Sequence, residues 1–380
     1  MRWSEQLPKE VAGLTSVPLQ HTLGGLCNCR RQTCAALATL INYPKETNVK
    51  LMKIGTFRAC ARLFGLVMLW FVVGMNGAAA QAYPDKSKPI RIVVPFNAGS
   101  SADAIGRALA RGMTEVSGVN VVVENMPGAE AVLGARAVKQ AAPDGYTLLL
   151  TTLSTHAVNP HMIPNLPYDA VKDFVPITGV SKGPLVVAVG PKFPFASARE
   201  FFAAARENPG KYTVGSASAT TRLAGEMLAQ AAGVQLLAVP YKSFGDLMTN
   251  MIAGDIHLMI IDIGTMKPFV ASGIRPLLNV SGKRIPAYPN VPTAQEEGMP
   301  SYEVSVWTAT YFPANTPAGN VATMREMLNG AMKTKYVADV LASFSLETMP
   351  LTGQAFDDFQ RTEFEKWGNA VKAANLGPKQ

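Results

Sequence analysis

From Tyr83 onward, short β-branched runs alternate with helical stretches, and that alternation leaves few folds open. Ile90–Val94 reads as a strand, Ala102–Met113 as a helix, Val119–Glu124 as a strand, Ala131–Ala141 as a helix and Tyr146–Thr151 as a strand. A βαβαβ order argues for an α/β layer structure on a mainly parallel sheet. The order then repeats. Leu185–Val189 is a strand, Ala198–Glu207 a helix, Val214 opens a strand, and Arg222–Ala232 is a helix. Further strands are expected at Leu236–Val239 and His257–Ile261. Two such sets suggest two α/β lobes. Asn320 to Ala374 is mostly helical and is expected to pack back on the first lobe.

In open α/β sheets, ligands bind beyond the carboxyl ends of the strands. The loops there are therefore the candidates. The first runs from Pro95 to Asp103 between a strand and a helix. Gly99 permits a sharp turn, Ser100 or Ser101 can cap the helix, and the free N–H groups at a helix start favour an anion. A capped helix with Asp103 complementing its dipole is the plainer reading of that loop alone. The second, Glu124 to Glu130, carries a Pro-Gly turn. The third, Thr151 to His156, offers the hydroxyls of Thr152 and Ser154. The fourth, Gly215 to Thr221, again leads from a strand into a helix and carries Ser216, Ser218 and Thr221. Two hydroxyl-rich helix starts, one per lobe, suit a cleft that grips an anion.

The N-terminal 82 residues read differently. Lys53, Arg58 and Arg62 precede an apolar run of 13 residues, Leu63 to Met75, and Ala80-Gln81-Ala82 follows as a cleavage signal. This is the pattern of a secretory signal peptide, and the run is shorter than the roughly 20 apolar residues that span a bilayer. The pattern starts at Met52, so residues 1–51 are expected to be a mis-assigned upstream extension, 52–82 the signal peptide and Tyr83 the first mature residue. No Cys follows the run, so no lipid anchor is indicated. Residues 1–82 hold nine of the 35 Lys+Arg and three of the 27 Asp+Glu, so the formal charge falls from +8 for the chain to +2 beyond Ala82. That is no basic footprint for nucleic acid. Cys27, Cys29, Cys34 and Cys60 all precede Tyr83, which suits an oxidising compartment without a disulfide.

Enzyme motifs are wanting. There is no G-x-S-x-G elbow, no phosphate loop and no well-placed G-x-G-x-x-G. His156 and His161 are separated by Pro160 and do not share a helix face as paired metal ligands would, and His257 reads as a packed histidine in an apolar strand. No cofactor and no metal are expected.

Several segments occur in an order that is itself informative: Pro89–Phe96, Ala102-Asp103, Glu124-Asn125 with Pro127-Gly128-Ala129, Pro143–Leu148, Val239–Lys242, Pro289–Thr293, Glu296–Gly298, Trp307 and Pro313 with Pro317. Together they resemble the Bug family, the receptors of tripartite tricarboxylate transporters, over essentially all of 83–380. The resemblance implies a two-lobed periplasmic binding protein of the type II, flytrap kind with a ligand cleft between lobes. The first lobe would comprise 83–185 plus 306–380 and the second 186–305. It implies a monomeric periplasmic receptor that takes a small carboxylate to integral membrane transporter subunits. A sensory receptor for the same ligand, or a periplasmic enzyme using the cleft, are the alternatives. Carried over, Phe96, Ser100, Ser101, Asp103, Thr152 and Ser154 are first-lobe ligand residues, and Ser216, Ser218, Thr221 and Asp262 second-lobe ones. Two departures bear on selectivity. Glu130-Ala131 stands where the family has Gly-Gly, so the Glu130 carboxylate is expected to repel a second ligand carboxylate and favour a monocarboxylate or a ligand with a cationic or donor group. Arg222 stands where a His is usual; a salt bridge to Glu226 one turn on is the expectation, and a cationic contact to the ligand is the alternative.

Overall fold

The computed structural model describes residues 83–378. The extension expected over 1–51 and the signal peptide expected over 52–82 lie outside the described residues. The chain starts β1 (Ile90–Val94), α1 (Ser101–Ser117), β2 (Val121–Asn125), α2 (Val132–Lys139) and β3 (Thr147–Thr152). A single π-turn, Ser154–Val158, then runs into the short α3 (Asn159–Met162). Next come β4 (Phe174–Val189), α4 (Ala198–Glu207), β5 (Thr213–Ser216), α5 (Ala219–Ala232), β6 (Leu237–Pro240), α6 (Phe244–Ala253), β7 (Leu258–Asp262), α7 (Ile263–Met266) and β8 (Arg275–Asn279). The chain closes with β9 (Ser305–Pro313), α8 (Ala318–Met332), α9 (Lys335–Ser343), β10 (Glu347–Thr348) and α10 (Gly353–Ala373).

The strands run β2-β1-β3-β9-β4-β7-β5-β6. The sheet is mixed, which corrects the mainly parallel expectation. The pairs β1–β2, β1–β3, β5–β6 and β5–β7 are parallel, whereas β9 and β4 pair antiparallel with each other and with their other neighbours. The reason is that β4 and β9 are long crossing strands, not products of a βαβ turn. Residues 174–184 of β4 pair with β9 in one half, and residues 185–189 pair with β7 and β8 in the other.

Each half has a core cluster of its own, and a third and larger cluster runs through both, from Val93 and Trp307 to Phe201 and Leu223. Ile92, Leu109, Met113, Leu148, Met324 and Leu328 form one cluster between β1, α1 and α8. Val186, Met248, Met251, Ile261 and Met266 form another between β4, α6 and β7. Each fully buried side chain of this size contributes about 1.5–3 kcal/mol. Helix α1 packs tightly because it carries small residues where it meets its neighbours. A Cβ on Gly106 would lie 2.9 Å from the Val94 side chain, and one on Gly112 would lie 3.1 Å from Ala331 of α8. These contacts hold the start of α1 in place at the mouth of β1. Among the described residues, no helix is long and apolar enough to cross a membrane.

Candidate ligand-binding site

Helices α1 and α5 begin in opposite halves and both end up on one cavity of about 70 Å³. Each start is set by a hydroxyl cap. Ser100 is extended (φ −74, ψ 163) and its Oγ accepts the Asp103 N–H at 3.3 Å. Ser218 does the same for Thr221, whose own Oγ1 accepts the Ala217 and Ser218 N–H groups at 3.2 Å, a reciprocal capping box. Capping takes up some of the orphan N–H groups of the first turn, and the remainder carry the positive end of the helix dipole. Ala102 and Thr220, the second residue of each helix, both line the cavity.

Of the residues picked from the sequence, the cavity wall brings together Phe96, Ser100, Ser101, Thr152, Ser154, Ser218, Thr221 and Asp262. Three others lie off it. Asp103 is turned into the protein, where Oδ2 accepts the Gly99 N–H at 3.0 Å and Arg107 Nε at 3.1 Å. Its Oδ1 accepts Asn125 Nδ2 at 3.0 Å, and that same amide nitrogen donates to the Phe96 carbonyl at 3.2 Å. Burial pushes the Asp103 pKa up, but the hydrogen bonds from Arg107, Gly99 and Asn125 outweigh it and hold the carboxyl below the usual range. Asp103 thus braces the Phe96–Gly99 loop from behind. Ser216 is buried at the end of β5, its carbonyl accepting the Tyr241 N–H at 2.7 Å. Glu130 lines a smaller neighbouring cavity of about 30 Å³ with Lys242, which shares Phe96 and Phe244 with the larger one.

Arg222 does not bridge to Glu226. Its Nη2 reaches across to Glu130 Oε2 at 3.4 Å. The start of α5 faces the other half, so the side chain at its first turn finds an acid there before it finds one a turn along its own helix. Glu130 thus has a cationic partner and lies on the smaller cavity, not on the wall of the larger one. The backbone of that loop suits Gly-Gly better than the Glu-Ala present. Glu130 and Ala131 hold φ of 55 and 74, the left-handed region where glycine is at ease.

The wall also contains residues that the loops did not point to. Ser181 of β4 and Thr308 of β9 face the cavity as a hydrogen-bonded pair at 2.8 Å, and Trp307 lies beside them. The Trp307 indole N–H donates to Glu363 Oε2 at 2.9 Å, an acid shared with Trp367 at 2.8 Å. Ile105, Leu185, Phe244, Val306 and Leu346 supply an apolar side. Among the described residues, no Lys, Arg or His lines the cavity, and Asp262 is its one acid.

The halves touch across the cavity. Ser154 Oγ and Thr220 Oγ1 are 2.7 Å apart, and the Ser101 N–H donates to Thr265 Oγ1 at 3.1 Å. Behind Ser154, His156 is fully buried in the π-turn. It stacks on Tyr311 with ring centroids 4.0 Å apart, and its Nδ1 lies 3.0 Å from Thr155 Oγ1. Burial pushes its pKa down to about 3, so it is a neutral structural ring. His257 pairs with Thr213 through Nδ1 at 2.8 Å, away from the cavity. No cluster of metal-ligating side chains occurs among the described residues.

Comparison with known proteins agrees with this architecture. Residues 105–376 match the tripartite tricarboxylate transporter family receptor. Protein BugT of Bordetella pertussis is 30% identical over 315 residues, covering 82% of this chain and 97% of BugT. The structure of the periplasmic binding protein BugD superposes with a TM-score of 0.73 at 28% identity, covering 78% of this chain and 100% of that one. R. palustris Rpa4515 with adipate gives 0.74 at 27% identity, again over 78% of this chain and 100% of that one. The chain therefore has the two-lobed type II binding-protein fold and belongs to the tripartite tricarboxylate transporter receptor family, whose members are periplasmic solute-binding proteins.

Proposed function

We propose that the cavity between the halves captures a small carboxylate and that the closed protein delivers it to membrane-embedded transporter subunits without any chemical step. The observation that carries this reading is the convergence of the α1 and α5 starts on one cavity whose wall holds no cationic side chain. Two helix starts supply donors and about half a positive charge each, which suits one carboxylate group. The hydroxyls of Ser101, Thr152, Ser154, Ser218 and Thr221 would orient it, with Ser100 and Asp103 holding the first loop in shape. The adipate complex of the relative Rpa4515 supports the same ligand chemistry. A ligand that touches both helix starts gains contacts only when the halves are together, which gives the closed state its differential affinity. In this reading a signal peptide over 52–82 exports the chain, the mature protein begins at Tyr83, and it works as a monomer in the periplasm.

Native mass spectrometry of the protein purified from periplasm tests this. The expected result is a mature chain starting at Tyr83 carrying one organic acid that is recovered unchanged. A sugar or cation in its place, or a ligand recovered chemically altered, would overturn the reading.

A further inference from the structure

Asp262 stands alone as a charged side chain on the cavity wall. Its Oδ1 accepts the Thr265 N–H at 2.9 Å and caps α7, whereas Oδ2 has no partner among the described residues. Thr265 also receives the Ser101 N–H at 3.1 Å through its hydroxyl, so Asp262 sits beside the start of α1. An anion-favouring helix start and a bare carboxylate oxygen are thus neighbours. A ligand with only negative charge suits the first and is repelled by the second. A ligand with an anionic and a cationic group on the same carbon suits both.

We propose that the cavity selects small zwitterionic α-amino acids, with Asp262 receiving the ligand ammonium while the helix starts hold its carboxylate; this rests on the carboxylate reading above. Size and polarity point the same way. The cavity is small, about 70 Å³. Ile105, Leu185, Phe244 and Val306 face that space, so the ligand side chain is short and aliphatic. A second ligand carboxylate would find hydroxyls on the wall but no cation to offset its charge, and Asp262 would repel it.

The test is calorimetry of the mature protein with L-alanine, L-lactate, propionate and adipate. The first three share a skeleton and differ at the second carbon as ammonium, hydroxyl and hydrogen. L-alanine should bind about tenfold or more tighter than L-lactate, with propionate weaker still, because a hydrogen bond between charged groups is worth at least that factor. Asp262→Asn should cut L-alanine affinity about tenfold or more and leave L-lactate and propionate no weaker, or tighter, because their repulsion goes with the charge. Asn caps a helix as well as Asp does, so the melting temperature of the variant should match the parent. Lactate or propionate binding as tightly as alanine, or a variant that weakens all three alike, would overturn the proposal. Adipate binding tightest would overturn it while leaving carboxylate capture standing. Failure of all four, with other carboxylates also silent, would remove both.

Discussion

His156 sits two residues beyond the cavity hydroxyl of Ser154, sealed from water against Tyr311 and Phe174. Because burial lowers its pKa to about 3, it stays neutral in the folded protein where an unfolded histidine, with a pKa of 6.5, would protonate. The unfolded state then binds more protons at all pH values between these two. Stability attributable to this ring is intact above 6.5 and is lost as pH falls towards 3. At pH 5 the loss is about 2 kcal/mol, from about 1.5 pH units at 1.36 kcal/mol each. His156→Leu should remove this component. Urea unfolding at pH 7.5 and pH 5 should show the parent losing about 2 kcal/mol more than the variant. Parallel pH profiles would mean that the ring is not held neutral.

The pair Glu130–Arg222 links the loop after β2 to the first turn of α5. Both side chains are about one-third exposed, at 31% and 33%, and their 3.4 Å separation is loose. Solvent therefore screens most of the attraction, and a double-mutant cycle of Glu130→Gln and Arg222→Gln on ligand affinity should give a coupling of about 0.5–1 kcal/mol that shrinks in high salt. No coupling at low salt would remove the pair as a contributor to closure. The same region shows what the sequence could tell. Strands such as Ile90–Val94 and helices such as Ala198–Glu207 were legible because their patterning is local. The first half of β4 was not, since Pro176, Gly179, Gly183 and Pro184 interrupt it as a loop would. Helix α6 was also missed, and it supplies Phe244 to the wall. The loop hydroxyls of the site were legible because strand-to-helix junctions announce themselves. Ser181, Thr308 and Leu185 are not, because long-range register brings them to the cavity: β4 with β9 sets Ser181 opposite Thr308, and β4 with β7 sets Leu185 opposite Asp262. Sequence proximity pairs Arg222 with Glu226, and only tertiary packing reveals Glu130 as its partner.

At the scale of the molecule, the two halves must come together for both helix starts to reach one ligand. Gly264 of α7 lies where they meet. A Cβ there would be 2.8 Å from the Ser101 Cβ and 2.7 Å from the Phe344 ring, both in the other half. Gly264→Val should therefore act as a wedge. Ligand affinity should fall by about tenfold or more, a cost of about 1.4 kcal/mol or more, in the range of overpacking a close contact. The ligand-induced decrease in radius of gyration by small-angle scattering should be lost while the ligand-free melting temperature stays near that of the parent. A variant that binds and compacts like the parent would mean that this contact is not part of closure. The central claim is that two opposed helix starts, without a cationic side chain, hold a carboxylate. The most direct measurement is calorimetry comparing the ligand identified by mass spectrometry with its primary amide, identical in shape but lacking the negative charge. The account predicts that the amide binds at least about tenfold more weakly, as loss of a charge-assisted contact requires. Equal affinity for acid and amide would contradict it.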